Sequence, residues 1–124
     1  MANALRDKQD WVRKGAARAL SWVGNRSAVP ALIDALGDES WEVRQYAAQG
    51  LGWLKDRAAA PALIQALADE RWEVRARAAQ ALGELGETTL TPALFRALRD
   101  DHWSVRNAGA TAIVLLIDGS SGKS

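Results

Sequence analysis

Apolar residues return along this chain with the step of a helix, and the helical pattern itself repeats. Val43, Ala47, Gly50, Leu51 and Leu54 fall at intervals of three and four, so they share one side of a helix and predict a core-facing stripe. The stripe recurs: Val12-Arg13, Val43-Arg44, Val74-Arg75 and Val105-Arg106 are each 31 residues apart. Asp7, Asp38, Asp69 and Asp100 keep the same step. So do Ala17, Ala48, Ala79 and Ala110, then Leu20, Leu51, Leu82 and Ile113, then Pro30, Pro61 and Pro92. A fixed period of this size predicts an array of small units, each burying its apolar side against the next.

Each unit reads as two antiparallel helices. The long ones are expected over 10–23, 40–54, 71–85 and 102–117, the short ones over 28–37, 59–68 and 90–99. Pro30, Pro61 and Pro92 fall in the first turn of the short helices, where a missing N–H costs nothing. The four repeating aspartates precede the long helices, where a carboxylate can accept orphan backbone N–H groups. Gly24 and Gly86 suit helix C-caps, and Lys55 at the equivalent place does not. Gly52 and Gly83 lie inside helices, which costs about 1 kcal/mol against Ala and predicts close approach of a neighbouring backbone. Ala4-Leu5 aligns with Ala35-Leu36, Ala66-Leu67 and Ala97-Leu98, so residues 1–6 read as the end of a partial unit. A natural start, a boundary or a designed cut fits that equally. Residues 1–118 are expected to form one repeat domain and 119–124 a disordered tail.

Composition narrows the function classes. Hydrophobic residues make up 48% of the 124, enough for a continuous core, and the net charge of +1 gives no mandate for nucleic acid or an anionic membrane. There is no cysteine, hence no disulfide or thiolate chemistry, and a cytoplasmic location is expected. No apolar run is long enough to span a membrane, and the start lacks the apolar region of a secretory signal.

The unit Asp38-x-x-Trp41-x-Val43-Arg44-x-x-Ala47-Ala48-x-x-Leu51-Gly52, followed by Ala59-x-Pro61-Ala62-Leu63-Ile64-x-Ala66-Leu67, resembles HEAT repeats. It is similar to the bacterial form named after phycobilisome lyases and to artificial helical repeat binders built on that consensus. The likeness runs from residue 4 to 117. It implies an all-α, right-handed solenoid of 31-residue HEAT-like helix pairs, with the Asp and Arg of successive units forming a hydrogen-bond ladder; Asp38 with Arg44 and Asp69 with Arg75 match that motif. Two places depart from the pattern. Trp11 directly precedes Val12, whereas Trp41, Trp72 and Trp103 precede their valines by two. Val114 and Leu115 stand where earlier units have Gly52 or Gly83 and Trp53 or Glu84.

No catalytic constellation emerges. His102 is the lone histidine, beside a helix start, with no ligand set of metal spacing near it. HEAT-like hydroxylases carry repeated His-Glu pairs for iron, and this chain has none. The expectation is a non-enzymatic protein without cofactor or metal.

The long helices carry a stripe that varies while the framework repeats: Glu42, Gln45, Tyr46, Gln49 and Trp53 in one unit, Glu73, Ala76, Arg77, Gln80 and Glu84 in the next. In the artificial binders these positions on the concave face are the ones randomised to bind targets. Trp22, Tyr46 and Trp53 are the candidate anchors, with Lys14, Arg18, Gln49 and Arg77 orienting a protein or peptide partner. The aromatics packing against one another between repeats is the alternative, and the residues leave both open. Trp41, Trp72 and Trp103 keep framework register and read as structural. Lys14 and Arg18 beside Trp22 offer a small basic spot for nucleic acid, but Glu42, Glu73 and Glu84 on the same surface oppose phosphate. Neither end looks capped. Ile113, Val114, Leu115 and Ile117 make the last helix apolar all round, which gives a route to homo-oligomers through the terminal repeats. A non-catalytic binding scaffold is the leading expectation. A lyase-type accessory role in chromophore attachment, or a designed or fragment repeat protein that self-assembles, is the alternative.

Overall fold

The computed structural model describes residues 4–5 and 8–121, with side chains as far as Asp118. The turn expected at Asp7, the rest of the partial unit and residues 122–124 of the tail lie outside the described residues. Among the described residues seven α-helices follow one another: α1 (Asp10–Val23), α2 (Val29–Ala35), α3 (Trp41–Leu54), α4 (Ala60–Ala66), α5 (Trp72–Leu85), α6 (Thr91–Leu94) and α7 (Trp103–Ser121). No strand occurs among the described residues. The long helices α1, α3, α5 and α7 pack side by side in chain order, and each short helix lies against the long helix that follows it. The result is an all-α solenoid in two layers. Its core is one cluster running the length of the array, with Leu32, Leu63 and Leu94 from the short layer and Val43, Val74, Val105, Leu51, Leu82 and Leu116 from the long layer fully buried.

The short helices are shorter than the pattern predicts. The side chains of Asn25 and Asp56 accept the N–H two residues on, at 2.9 Å, and wind the entry as a 3-10 turn before the prolines. At the exits Gly37 and Ala68 donate to the carbonyls three residues back, which tightens the last turn. The third is cut to four α-helical residues followed by a 3-10 turn, Ala97–Arg99. The cause sits opposite. Gly109 replaces the alanine of Ala47 and Ala78, and a Cβ there would lie 2.6 Å from the Cβ of Ala97. The tighter turn puts Ala97 into that space.

The long helices end as expected at Gly24 (φ 71°) and Gly86 (φ 76°). Lys55 adopts the same left-handed conformation (φ 55°) without being glycine. α7 runs three residues into the stretch expected to be disordered, because neither a proline nor a left-handed residue stops it.

Three kinds of contact join one long helix to the next, the first and third at all three seams and the second at the last two. First, an arginine donates Nε and Nη2 to both oxygens of the following unit's aspartate: Arg13 to Asp38 (2.9 and 3.4 Å), Arg44 to Asp69 (2.8 and 3.1 Å) and Arg75 to Asp100 (2.7 and 3.0 Å). Its Nη1 donates to a carbonyl of its own turn, as Arg44 does to Asp38 O at 2.8 Å and Arg75 to Asp69 O at 2.8 Å. The ladder between repeats is therefore present. Within a unit Arg44 meets backbone alone, the carbonyls of Asp38 and Glu39, and the side-chain pairing runs to the next unit. The same aspartates cap the helix starts, Asp38, Asp69 and Asp100 accepting from the N–H of Ser40, Arg71 and His102. Such charge-assisted, two-point pairs fix angle as well as distance.

Second, a framework tryptophan is covered by the next unit: the Arg71 guanidinium lies 4.3 Å over the Trp41 ring, and His102 stacks on Trp72 at 4.0 Å and 6°. Third, small residues meet backbone to backbone. A Cβ on Gly50 would lie 2.8 Å from Ser21 Cβ, one on Gly52 2.8 Å from Ala81 Cα, and one on Gly83 2.8 Å from Ala112 Cα.

Candidate binding face of the long helices

The varying stripe comes together on one face of the long-helix layer, and it has two halves. In the first, Trp22 and Trp53 meet edge to face, ring centroids 5.6 Å apart at 71°, yet remain 71% and 42% exposed. The packing alternative is present, and the packed rings still present a broad apolar surface. Tyr46 is half-buried and leans on the core, so it contributes less than the pattern suggested. Lys14 is drawn to Glu42 at 3.6 Å, Arg18 is exposed, and Gln49 is half-buried.

The second half is a groove of about 540 Å³ along α5 and α7. Ala76, Ala108, Ser104 and Thr111 line it, together with Gln80, Asn107, Glu73, Glu84 and Leu115. It opens because small residues occupy the positions that Gln45 and Tyr46 fill in the second unit. Arg77 is the only predicted partner-binding residue on its wall, and its guanidinium donates to Gln80 at 3.2 Å. Burial pushes the Glu84 carboxyl above the usual carboxylate range, and the nearby charges of Lys55 and Arg77 partly offset it. Glu73 gives one oxygen to Arg71 at 3.0 Å, while the other is buried without a hydrogen-bond partner among the described residues. Sequence reasoning placed these groove positions on the stripe but weighted the aromatics. A groove depends on side chains that are missing from the surface, and only the run of small residues signals it.

The structural tryptophans divide. Trp41 and Trp72 cover the seams as expected, whereas Trp103 is 67% exposed and meets only the ring of the adjacent His102, at 6.2 Å, among the described residues. Of the predicted self-association residues, Ile113 packs against the core and Leu115 lines the groove, leaving Val114 and Ile117 on the outer face of α7. His102 accepts from Ser104 N–H through Nδ1 at 3.1 Å, so its ring is used in capping α7 as well as in stacking. No group of three or more metal-ligating side chains occurs among the described residues, and none of their helices is long and apolar enough to cross a membrane.

A family model of HEAT repeats matches residues 1–71 and 60–121, nearly the whole chain. The chain belongs to the HEAT-repeat family. No curated protein matches this HEAT-repeat chain significantly by sequence. Among solved structures it is similar to the complex of CpcE and CpcF of phycocyanin lyase from Nostoc sp. PCC7120, with a TM-score of 0.81, 35% identity, and 93% of this chain and 50% of that one covered. It is also similar to human deoxyhypusine hydroxylase, with a TM-score of 0.81, 31% identity, and 94% and 42% covered. An engineered protein at 22% identity and TM-score 0.72, with 95% and 61% covered, shares the HEAT-repeat fold. The chain spans half or less of the lyase and hydroxylase chains it resembles.

Proposed function

We propose that this HEAT-repeat scaffold binds a protein or peptide, without catalysis, on the face of its long helices. The observation that carries the reading is the exposed Trp22–Trp53 pair on the face whose other half is the groove. Large rigid aromatics held in place by each other lose little freedom on binding and serve as anchors. The groove supplies polar groups for register. Panning a displayed random-peptide library against the chain should enrich binders whose affinity falls at least about tenfold, or about 1.4 kcal/mol, in Trp22→Ala or Trp53→Ala. Circular dichroism should show both variants folded. Enriched peptides indifferent to both tryptophans and to Gln80→Ala would overturn the assignment of this face.

A lyase-type accessory role is the second reading, favoured by the likeness to the CpcE–CpcF complex. Its check is absorbance: a bilin mixed with the chain should change its visible spectrum, and an unchanged spectrum removes this reading.

A further inference from the structure

The outer face of α7 corresponds to the side that α1, α3 and α5 bury against a neighbour. Two of the three seam contacts stand unfilled there. Arg106 is exposed and donates to its own turn, Asp100 O at 2.7 Å, but no carboxylate meets its outer edge among the described residues. Trp103 has only the adjacent His102 ring, at 6.2 Å, among the described residues, where Trp41 and Trp72 have a covering group from the next unit. In the short layer Leu98 is 39% exposed where Leu67, its equivalent, is 3% exposed. The third contact is altered. Val114 occupies the place of Ser21, Gly52 and Gly83, where a lone Cβ on either glycine would already lie under 3 Å from the next backbone. Ser21 fits this seat only because it faces Gly50, whereas alanine faces it at the other two seams, so the isopropyl group of Val114 does not fit the packing of α3 on α5 or of α5 on α7. The face suits a different partner.

The spacing on α7 identifies one. Trp103, Arg106, Ala110, Val114 and Ile117 follow one another at steps of three and four, Asp118 lies four beyond Val114, and all six are exposed on one side of the helix. Asp118 makes no hydrogen bond or ion pair among the described residues. Arg106 and Asp118 lie symmetrically about the level of Ala112, and so do Ala110 and Val114. Two α7 helices crossing antiparallel at that level bring Arg106 of each copy within an arginine's reach of Asp118 of the partner subunit. The small Ala110 then faces Val114 of the partner subunit. One two-fold axis forms both ion pairs together, as a self-complementary interface requires.

We propose that the protein forms a two-fold dimer through antiparallel pairing of α7, with Arg106–Asp118 ion pairs across a strip centred on Ala110 and Val114. The arginine that elsewhere joins unit to unit here joins copy to copy. Sedimentation equilibrium on the full chain should give twice the chain mass at high concentration. Arg106→Glu or Asp118→Arg should weaken the dimer at least about tenfold, and the double exchange in one chain should restore it to within about threefold, since 1.4 kcal/mol corresponds to tenfold. Val114→Lys, at an exposed site, should also dissociate the dimer, and it tests the proposal even if Arg106→Glu loosens its own turn. A wild-type monomer at millimolar concentration would overturn the proposal, as would single variants that leave the dimer intact. Rescue of Arg106→Glu by Asp7→Arg in place of Asp118→Arg would mean head-to-tail stacking, and would overturn it as well.

Discussion

Gly52 and Gly83 are unfavourable residues for a helix and essential residues for a seam. Each lets the next helix bring an alanine to within about one van der Waals contact of the backbone, so the local cost is repaid between elements. Gly15, in the same kind of helix, has nothing within 4 Å of the place its Cβ would occupy. The two sites should therefore respond oppositely to one substitution. Gly15→Ala should raise stability by about 1 kcal/mol through helix propensity alone. Gly83→Ala should lower it by about 1–3 kcal/mol through overpacking against Ala112. Lys55 is a third case: it holds a left-handed conformation that glycine takes freely, so Lys55→Gly should stabilise by about 1 kcal/mol. Urea denaturation of the three variants, with midpoints compared at equal slope, checks all of them.

At the scale of the element, the long helices depend on the turns before them, and each turn depends on an arginine from the unit behind. Arg44 and Asp69 are about nine-tenths buried as side chains. Arg44→Ala leaves Asp69 without its main partner and should cost about 3 kcal/mol. Asp100 shows the same dependence in its ionisation. Burial is the largest single influence and pushes its carboxyl up, but the Arg75 hydrogen bond, the His102 N–H and the Arg75 charge together outweigh it, so the carboxyl ionises below its ordinary range. A lowered folded value stabilises the protein above the ordinary carboxylate pKa of about 3.9, and that contribution is lost as pH falls through the folded value. Asp100→Asn should thus be the less stable protein near neutrality, and the gap should close on acidification. Denaturation curves at descending pH measure it, and a gap constant with pH would contradict the sign.

These elements were largely legible in the chain. The 31-residue step fixed helix order, the buried stripe, the capping aspartates and the glycine seams. What escaped reading was set by distances between helices. The side-chain partner of Arg44 is Asp69 of the next unit, which no local spacing reveals. The groove exists because α5 and α7 carry Ala76 and Ala108 opposite one another. The short third helix follows from one glycine across the interface, Gly109, twelve residues beyond Ala97.

The molecule as a whole is a row in which each unit touches only its neighbours, so its stability is a sum of unit and seam terms. The central helices α3 and α5 each have two long-helix neighbours and should exchange their amide hydrogens slowest; the abbreviated α6 should exchange fastest. The seams also make the units non-interchangeable. A permuted chain that moved the unit 90–121 to an internal place, with an alanine facing Val114, would drive an isopropyl group into a seat that holds only hydrogen at Gly52 and Gly83. Such a reordered protein should splay open at that joint while every module keeps its own hairpin, so the order in which the modules are strung is itself written into one side chain, Val114.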